Sequence, residues 1–278
     1  MDTLCYFNGE QKKYSEINLH VSDLAITRGY GVFDFLRSSQ GVPLFLEAYI
    51  NRFFASAEKL MLDIPVTKQE LNNLIVQLVA ANGGGDWGIR IMLTGGYSSD
   101  HFTPEKANFM VLIVPMHFPK ASMYEEGIRL LTYHHQRDIA ETKSLNYLTP
   151  IYMRKKLAEA NAHDLLYHYH GVVTESSRSN IFFVKKEQLF TPKEQILNGI
   201  TRQQVIELAA QEMGIEIKTV SPDDLHDLDE AFITSTTKRV LPVGRIDGKA
   251  PKIVAGPITQ LLANRFEELE REYIQRHC

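Results

Sequence analysis

The sequence predicts an α/β (α+β) protein of two domains, and three observations carry that expectation. The chain has 278 residues, 44% hydrophobic and 23% charged, an ordinary globular composition long enough for two domains. Short apolar runs of strand length alternate with segments whose apolar residues recur at helical spacing. The stretch Pro115-Met-His-Phe-Pro119 brackets three residues with two prolines, which few regular contacts can cross. It divides a small N-terminal α/β domain, 1–117, from a larger C-terminal domain, 118–278.

In the first domain, residues 4–8 read as a short edge strand ended by Asn8-Gly9. Residues 31–38 and 42–46 read as strands joined in a hairpin at Gln40-Gly41. Residues 47–62 carry Tyr49, Ile50, Phe53, Phe54, Ala57 and Leu60 at helical spacing, and Pro65 ends that segment. Thr67-Lys-Gln-Glu70 is a capping box, so a second amphipathic helix spans 67–81 and stops at Gly83-Gly-Gly85. Strands 87–93 and 108–115 follow, joined by the polar loop 94–107. In the second domain, strands are expected at 128–133, 164–168, 181–184, 215–220, 231–235 and 240–246. Helices are expected at 149–160, 201–213 and 256–275. No internal repeat or low-complexity segment is present.

The charge balance narrows the partners. A net charge of -4 suggests neither a nucleic-acid surface nor a membrane patch. The apolar run 109–114 is too short to span a bilayer, and the first residues have no basic or apolar leader pattern. Cys5 and Cys278 sit at opposite ends of the sequence, so a reduced, cytoplasmic protein is the simplest expectation. No metal site is expected.

A widely spaced set of polar residues points to chemistry. Lys143 lies in Glu141-Thr-Lys-Ser-Leu-Asn-Tyr147, whose apolar flank implies a semi-buried turn, a setting that suits a nucleophilic amine. Glu175 is expected in a turn ahead of the apolar run 181–184. Gly199-Ile200-Thr201 opens a helix, Ser235-Thr236-Thr237 is a hydroxyl cluster at a strand end, and Arg52 lies in the helix 47–62. Singly, each has a bland reading. Lys143 is a surface charge, Glu175 a solvated hairpin carboxylate, Tyr147 a core tyrosine, Thr201 an N-cap and Arg52 an exposed helical charge. Pyridoxal 5'-phosphate uses the whole set. It needs an amine for its aldehyde, an acid for its ring nitrogen, and backbone N–H groups with hydroxyls for its phosphate.

With these segments in that order, from Arg28-Gly-Tyr-Gly-Val-Phe-Asp34 to Leu241-Pro-Val243, the chain resembles the fold-type IV pyridoxal-phosphate enzymes over nearly its whole length. That group contains branched-chain aminotransferases, D-amino acid aminotransferases and aminodeoxychorismate lyases. The resemblance implies a cofactor site between the two domains and a homodimer. It makes Lys143 the Schiff-base lysine and catalytic residue, and Glu175 the partner of the ring nitrogen. Arg52, Ile200, Thr201 and Thr236 would hold the phosphate, with Ser235 and Thr237 beside it, and Tyr147 would meet the ring's phenolic oxygen. Two departures stand out. Asp34 replaces the usual glutamate and Tyr49 the common histidine of the arginine helix. Neither is expected to touch the Schiff-base machinery.

The substrate is read from the remaining cations. An aminotransferase must anchor an α-carboxylate, which suits arginine. D-amino acid enzymes place an arginine and a histidine in the loop after the third sheet strand. Here that loop keeps His101, but Asp100 stands near the arginine's place. The branched-chain pattern reads here as Gly31-Val-Phe-Asp-Phe-Leu-Arg37, with bulky Phe35 where a small residue is usual. Arg28, Tyr30 and Arg178 are the better placed substrate contacts, the bland reading of the arginines being turn-stabilising charges. The expected activity is transamination of a D-amino acid with a 2-oxo acid such as 2-oxoglutarate. The branched-chain L-amino acid reading comes second and the lyase third. A cofactor carrier or regulatory module is the non-enzymatic alternative.

Overall fold

The computed structural model describes residues 2–277. It separates into two compact units. One holds the chain up to His117, Thr142–Tyr147 and the residues from Arg271; the other holds Phe118–Glu141 and Leu148–Glu270. Lys143 therefore packs with the first unit, although the chain before Thr142 and after Tyr147 continues in the second.

The first unit is an antiparallel sheet with helices. Its elements are β1 (Leu4–Phe7), β2 (Glu10–Lys13), α1 (Leu24–Arg28), β3 (Gly31–Ser39), β4 (Val42–Pro43), α2 (Leu46–Lys59), α3 (Lys68–Ala81), β5 (Trp87–Thr94) and β6 (Phe109–Pro115). The sheet order is β2-β1-β6-β5-β3-β4. So β1 is an inner strand, not an edge. The edge is β2, whose sequence Glu-Gln-Lys-Lys has no apolar residue to signal a strand. The strand expected at 42–46 is only two residues long, because α2 begins at Leu46. That helix stops at Lys59, well before Pro65, with Leu60 as its C-cap and Met61 at φ 52°. The Thr67–Glu70 capping box starts α3 as expected, with both reciprocal bonds formed.

The short helix α1 was not evident in the sequence. Its N-cap Asp23 is fully buried and accepts from Ala25 N–H at 2.7 Å, Thr94 Oγ1 at 2.7 Å and Asn108 Nδ2 at 2.7 Å. The signal is a cap of the usual kind, but the partners that justify burying it come from β5 and the approach to β6.

The second unit is a mixed sheet. Its elements are α4 (Ala121–Glu126), β7 (Ile128–His134), α5 (Leu148–Tyr152), α6 (Arg154–Glu159), β8 (Asp164–Tyr169), β9 (Val172–Ser176), β10 (Asn180–Lys185), β11 (Gln188–Pro192), α7 (Ile200–Glu212), β12 (Glu216–Lys218), β13 (Glu230–Ser235), β14 (Arg239–Ile246) and, up to Glu270, the helix α8 (Pro257–His277). The strand order is β12-β11-β10-β13-β14-β7-β8-β9, with β7 parallel to both β8 and β14. Its core packs Ile128, Leu166, Val173, Ile181, Phe183 and Ile233 among others. The helix expected at 149–160 is two short pieces, α5 and α6, broken at Met153. Strands β9 and β11 have no alternating pattern, because nearly every residue in them is buried. Among the described residues, no helix is long and apolar enough to cross a membrane. Cys5 is a buried free thiol; Cys278 lies outside the described residues.

Candidate active site

In the first unit, the segment around Lys143 lies against the start of β3. Phe33 N–H donates to Lys143 O at 2.9 Å and Leu145 N–H to Gly31 O at 3.0 Å. A side chain at Gly31 would meet Leu145 Cδ1 at 2.6 Å and Leu93 O at 2.7 Å, so this approach requires glycine. Lys143 N–H also donates to Ser56 Oγ of α2 at 3.3 Å. The lysine is half-buried, as expected, with Nζ 4.6 Å from the Phe33 ring centre. Tyr147 meets the same ring edge-on at 5.5 Å. On the neighbouring strand Arg90 directly opposes Phe35, and its guanidinium lies 5.9 Å from the rings of both Phe33 and Phe35.

Arg52 is not an exposed helical charge. Its Nε and Nη2 donate to fully buried Asp34 at 2.9 and 2.6 Å, and its guanidinium sits 5.2 Å from the Tyr49 ring. Burial alone would lower its pKa, but the Asp34 carboxylate outweighs this and the net direction is upward. Both departures from the family pattern, Asp34 and Tyr49, thus meet on this one arginine.

In the second unit, Glu175 lies in strand β9, not in a turn, and it is buried rather than solvated. Its Oε1 accepts from Arg137 Nη1 at 2.8 Å; its Oε2 accepts from Leu197 N–H at 2.9 Å and Asn180 Nδ2 at 3.3 Å. Asn180 Nδ2 also donates to Leu197 O at 2.8 Å. The N-cap of α7 is Gly199, not Thr201, and no side chain caps this end. A Cβ at Gly199 would collide with Asn180 Oδ1, so glycine lets the helix start reach the Glu175 network. Ile200 and Thr201 are buried in the first turn. The pairing of Asn180 with Thr234 brings the 235–238 turn, with Ser235, Thr236 and Thr237, beside the start of β10.

The expected substrate residues fare unevenly. Arg178 lies in the turn between β9 and β10, its side chain 62% exposed and 3.7 Å from Asp164. Lys238 lies 3.6 Å from the same buried carboxylate and donates to Ser179 Oγ at 2.8 Å, while Ser177 Oγ also donates to Asp164. Burial pushes the Lys238 pKa down, against the pull of Asp164. Arg28 is the exposed last residue of α1, donating to Thr27 O at 2.8 Å. The Tyr30 hydroxyl donates to Leu60 O, and burial raises its pKa. His101 is exposed at φ 59°. Its neighbour Asp100 accepts from Ser98, Phe102 and Thr103, bonds that hold its pKa below the usual carboxylate range, Thr103 contributing most. This carboxylate is spent on folding the loop.

Sequence reasoning missed Arg137, Asn180, Asp164, Lys238 and Arg90. Only Arg90 carried a signal, a charge between Ile89 and Ile91 in the middle of a strand. The donor chemistry of both units fits pyridoxal phosphate. There is a half-buried lysine on an aromatic ring, a carboxylate fixed by three donors, and a helix start without a side-chain cap near a run of hydroxyls.

Comparisons with known proteins agree with this chemistry. The amino-transferase class IV family profile matches residues 31–246. A putative branched-chain-amino-acid aminotransferase of Methanocaldococcus jannaschii is 34% identical over 96% of both chains. The D-alanine aminotransferase of Bacillus licheniformis is 32% identical over 91% of this chain and 92% of its own. A branched-chain amino acid aminotransferase from T.th., solved with pyridoxamine 5'-phosphate, superposes with a TM-score of 0.88 at 26% identity, over 96% of this chain and 94% of its own.

Proposed function

Since the chain belongs to the class IV aminotransferases, which are pyridoxal-phosphate-dependent transaminases, we propose that it moves an amino group between a D-amino acid such as D-alanine and a 2-oxo acid such as 2-oxoglutarate, D-glutamate being the amino form of that acceptor. The observation that carries this reading is a surplus of cations. Arg178 and Lys238 share the single carboxylate of Asp164 at the turn that follows Glu175. Such cations suit a substrate with two carboxylates and are poor walls for a branched aliphatic side chain. The similarity to D-alanine aminotransferases supports the D configuration. The similarity to a putative branched-chain enzyme keeps the L-substrate reading second; the bulk of Phe35 speaks against it.

In this reading Lys143 and Glu175 hold the two ends of the cofactor's reactive system. Ile200, Thr201, Ser235, Thr236, Thr237 and Arg52 would hold the phosphate, and Tyr147 the phenolic oxygen. The bound cofactor supplies an aldehyde for the amino group and an electron sink for the substrate's α-carbon. Lys143 Nζ takes the proton from that carbon. Glu175, fixed by Arg137, Asn180 and Leu197, would supply the negative charge that keeps a proton on the ring nitrogen. Arg178 orients a substrate carboxylate.

The test is a set of paired half-reactions with D- and L-amino acids, followed by loss of the cofactor's visible absorbance. Arg178→Ala should lower kcat/KM for D-glutamate by roughly 10- to 100-fold, the worth of one charge-assisted contact, and leave cofactor affinity unchanged. A preference for L-leucine or L-valine, indifferent to this substitution, would promote the branched-chain reading. We also propose a cytoplasmic homodimer. Leu148, Ile151 and Tyr152 of α5 are exposed at i, i+3 and i+4, an apolar stripe suited to a subunit contact. Sedimentation at micromolar concentration should give the dimer mass; a fully active monomer would rule that out.

A further inference from the structure

Arg202 has no part in the mechanism above, yet its position is costly. It is the third residue of α7 and only 6% exposed. A cation in the first turn opposes the partial positive charge of the helix start, and burial strips its solvation. Burial pushes its pKa down, and the charge that opposes this is Glu175. Its Nη2 donates to Pro192 O at 2.9 Å and its Nη1 to Asn198 Oδ1 at 3.3 Å. Buried Nε meets no acceptor among the described residues.

The two contacts span the loop between β11 and α7. That loop delivers Leu197 N–H to Glu175 at 2.9 Å and takes the Asn180 amide on Leu197 O at 2.8 Å. It forms one side of the hydrogen-bond cage around Glu175. Arg202 ties the loop to the turn that carries Ile200 and Thr201. A buried arginine facing an uncapped helix start serves no obvious purpose in stability. A planar fork that clamps a loop carbonyl and a loop side chain at once does serve alignment.

We propose that Arg202 is a positioning residue, clamping the 192–198 loop so that Leu197 N–H holds the Glu175 carboxylate in line with the first turn of α7. The inference rests on the reading that Glu175 faces the cofactor's ring nitrogen. It makes the two ends of the cofactor seat depend on one side chain that touches neither.

The experiment measures affinities of the full-length apoprotein for pyridoxal phosphate and for pyridoxal, which lacks the phosphate, by visible absorbance. Arg202→Lys keeps the charge but not the fork, and Arg202→Gln keeps neither. Each is also combined with Glu175→Gln. Arg202→Lys should weaken both ligands by the same factor, about tenfold, the worth of a charge-assisted hydrogen bond. In the Glu175→Gln background the same change should cost less than about threefold, because the two residues act as one unit. Loss of pyridoxal phosphate affinity alone would make Arg202 a direct phosphate charge and overturn the proposal. A lower melting temperature with both affinities intact would make Arg202 purely structural and would overturn it equally. If Glu175→Gln alone leaves pyridoxal affinity and α-proton removal unchanged, the Glu175 reading falls and takes this inference with it. If Glu175→Gln has its expected effect and Arg202→Lys has none, only the inference falls.

Discussion

Alanine in place of Lys143 should abolish transamination while leaving the fold intact. The lysine is half-buried on the Phe33 ring, and its segment is held by backbone bonds to β3 that do not involve its side chain. The substitution therefore removes the amine and little else. On the proposed reading it takes away both the covalent anchor and the base that moves the α-proton, and a single positioned base is worth about 10²–10⁴-fold. Turnover should fall by at least that factor, and borohydride should no longer fix the cofactor to the protein. The parent protein, reduced and digested, should carry the label on the peptide containing Lys143. Label on any other lysine, or a trappable bond surviving in the alanine variant, would overturn the assignment.

The second large effect is expected at Glu175. Glutamine keeps the shape and can still accept from Leu197 N–H and Asn180, but it removes the charge. A neutral partner no longer stabilises a protonated ring, so α-proton removal should slow by roughly 10²–10³-fold, the scale of one lost charge-stabilising contact. There is a second consequence. Arg137, only 11% exposed in its side chain, loses its ion pair with Glu175, and breaking a buried pair from one side costs about 3 kcal/mol. The variant should therefore melt lower as well as react slower. Single-turnover rates with D-glutamate, taken well below its melting temperature, separate the two effects. Rates within a few-fold of the parent would show that this carboxylate does not serve the ring nitrogen.

What was legible in the sequence was local chemistry. The Thr67–Glu70 capping box marks the start of α3, because a cap is made by side chains three residues apart. The helical spacing of Tyr49, Ile50 and Phe53 locates α2, since one apolar stripe must face the core. Where an element is buried on every side, the pattern vanishes. Strand β9 gives no alternation, so Glu175 was expected in a turn and lies instead in a buried strand.

The sequence by itself determined the class of this protein. Lys143, Glu175, the Gly199–Thr201 helix start and the hydroxyls at 235–237 follow in the order of the family that the chain resembles, and chain order is a property of the sequence alone. It also singled out Asp34 and Tyr49 as departures. Only the tertiary structure decided what those residues touch. It joined both departures on Arg52, made Arg137 the partner of Glu175 across 38 residues, and set Arg178 and Lys238 on the carboxylate of Asp164. The physical reason is that a buried charge must find its counter-ion within a few ångströms in space, wherever the fold brings one, and separation along the chain carries no record of that distance.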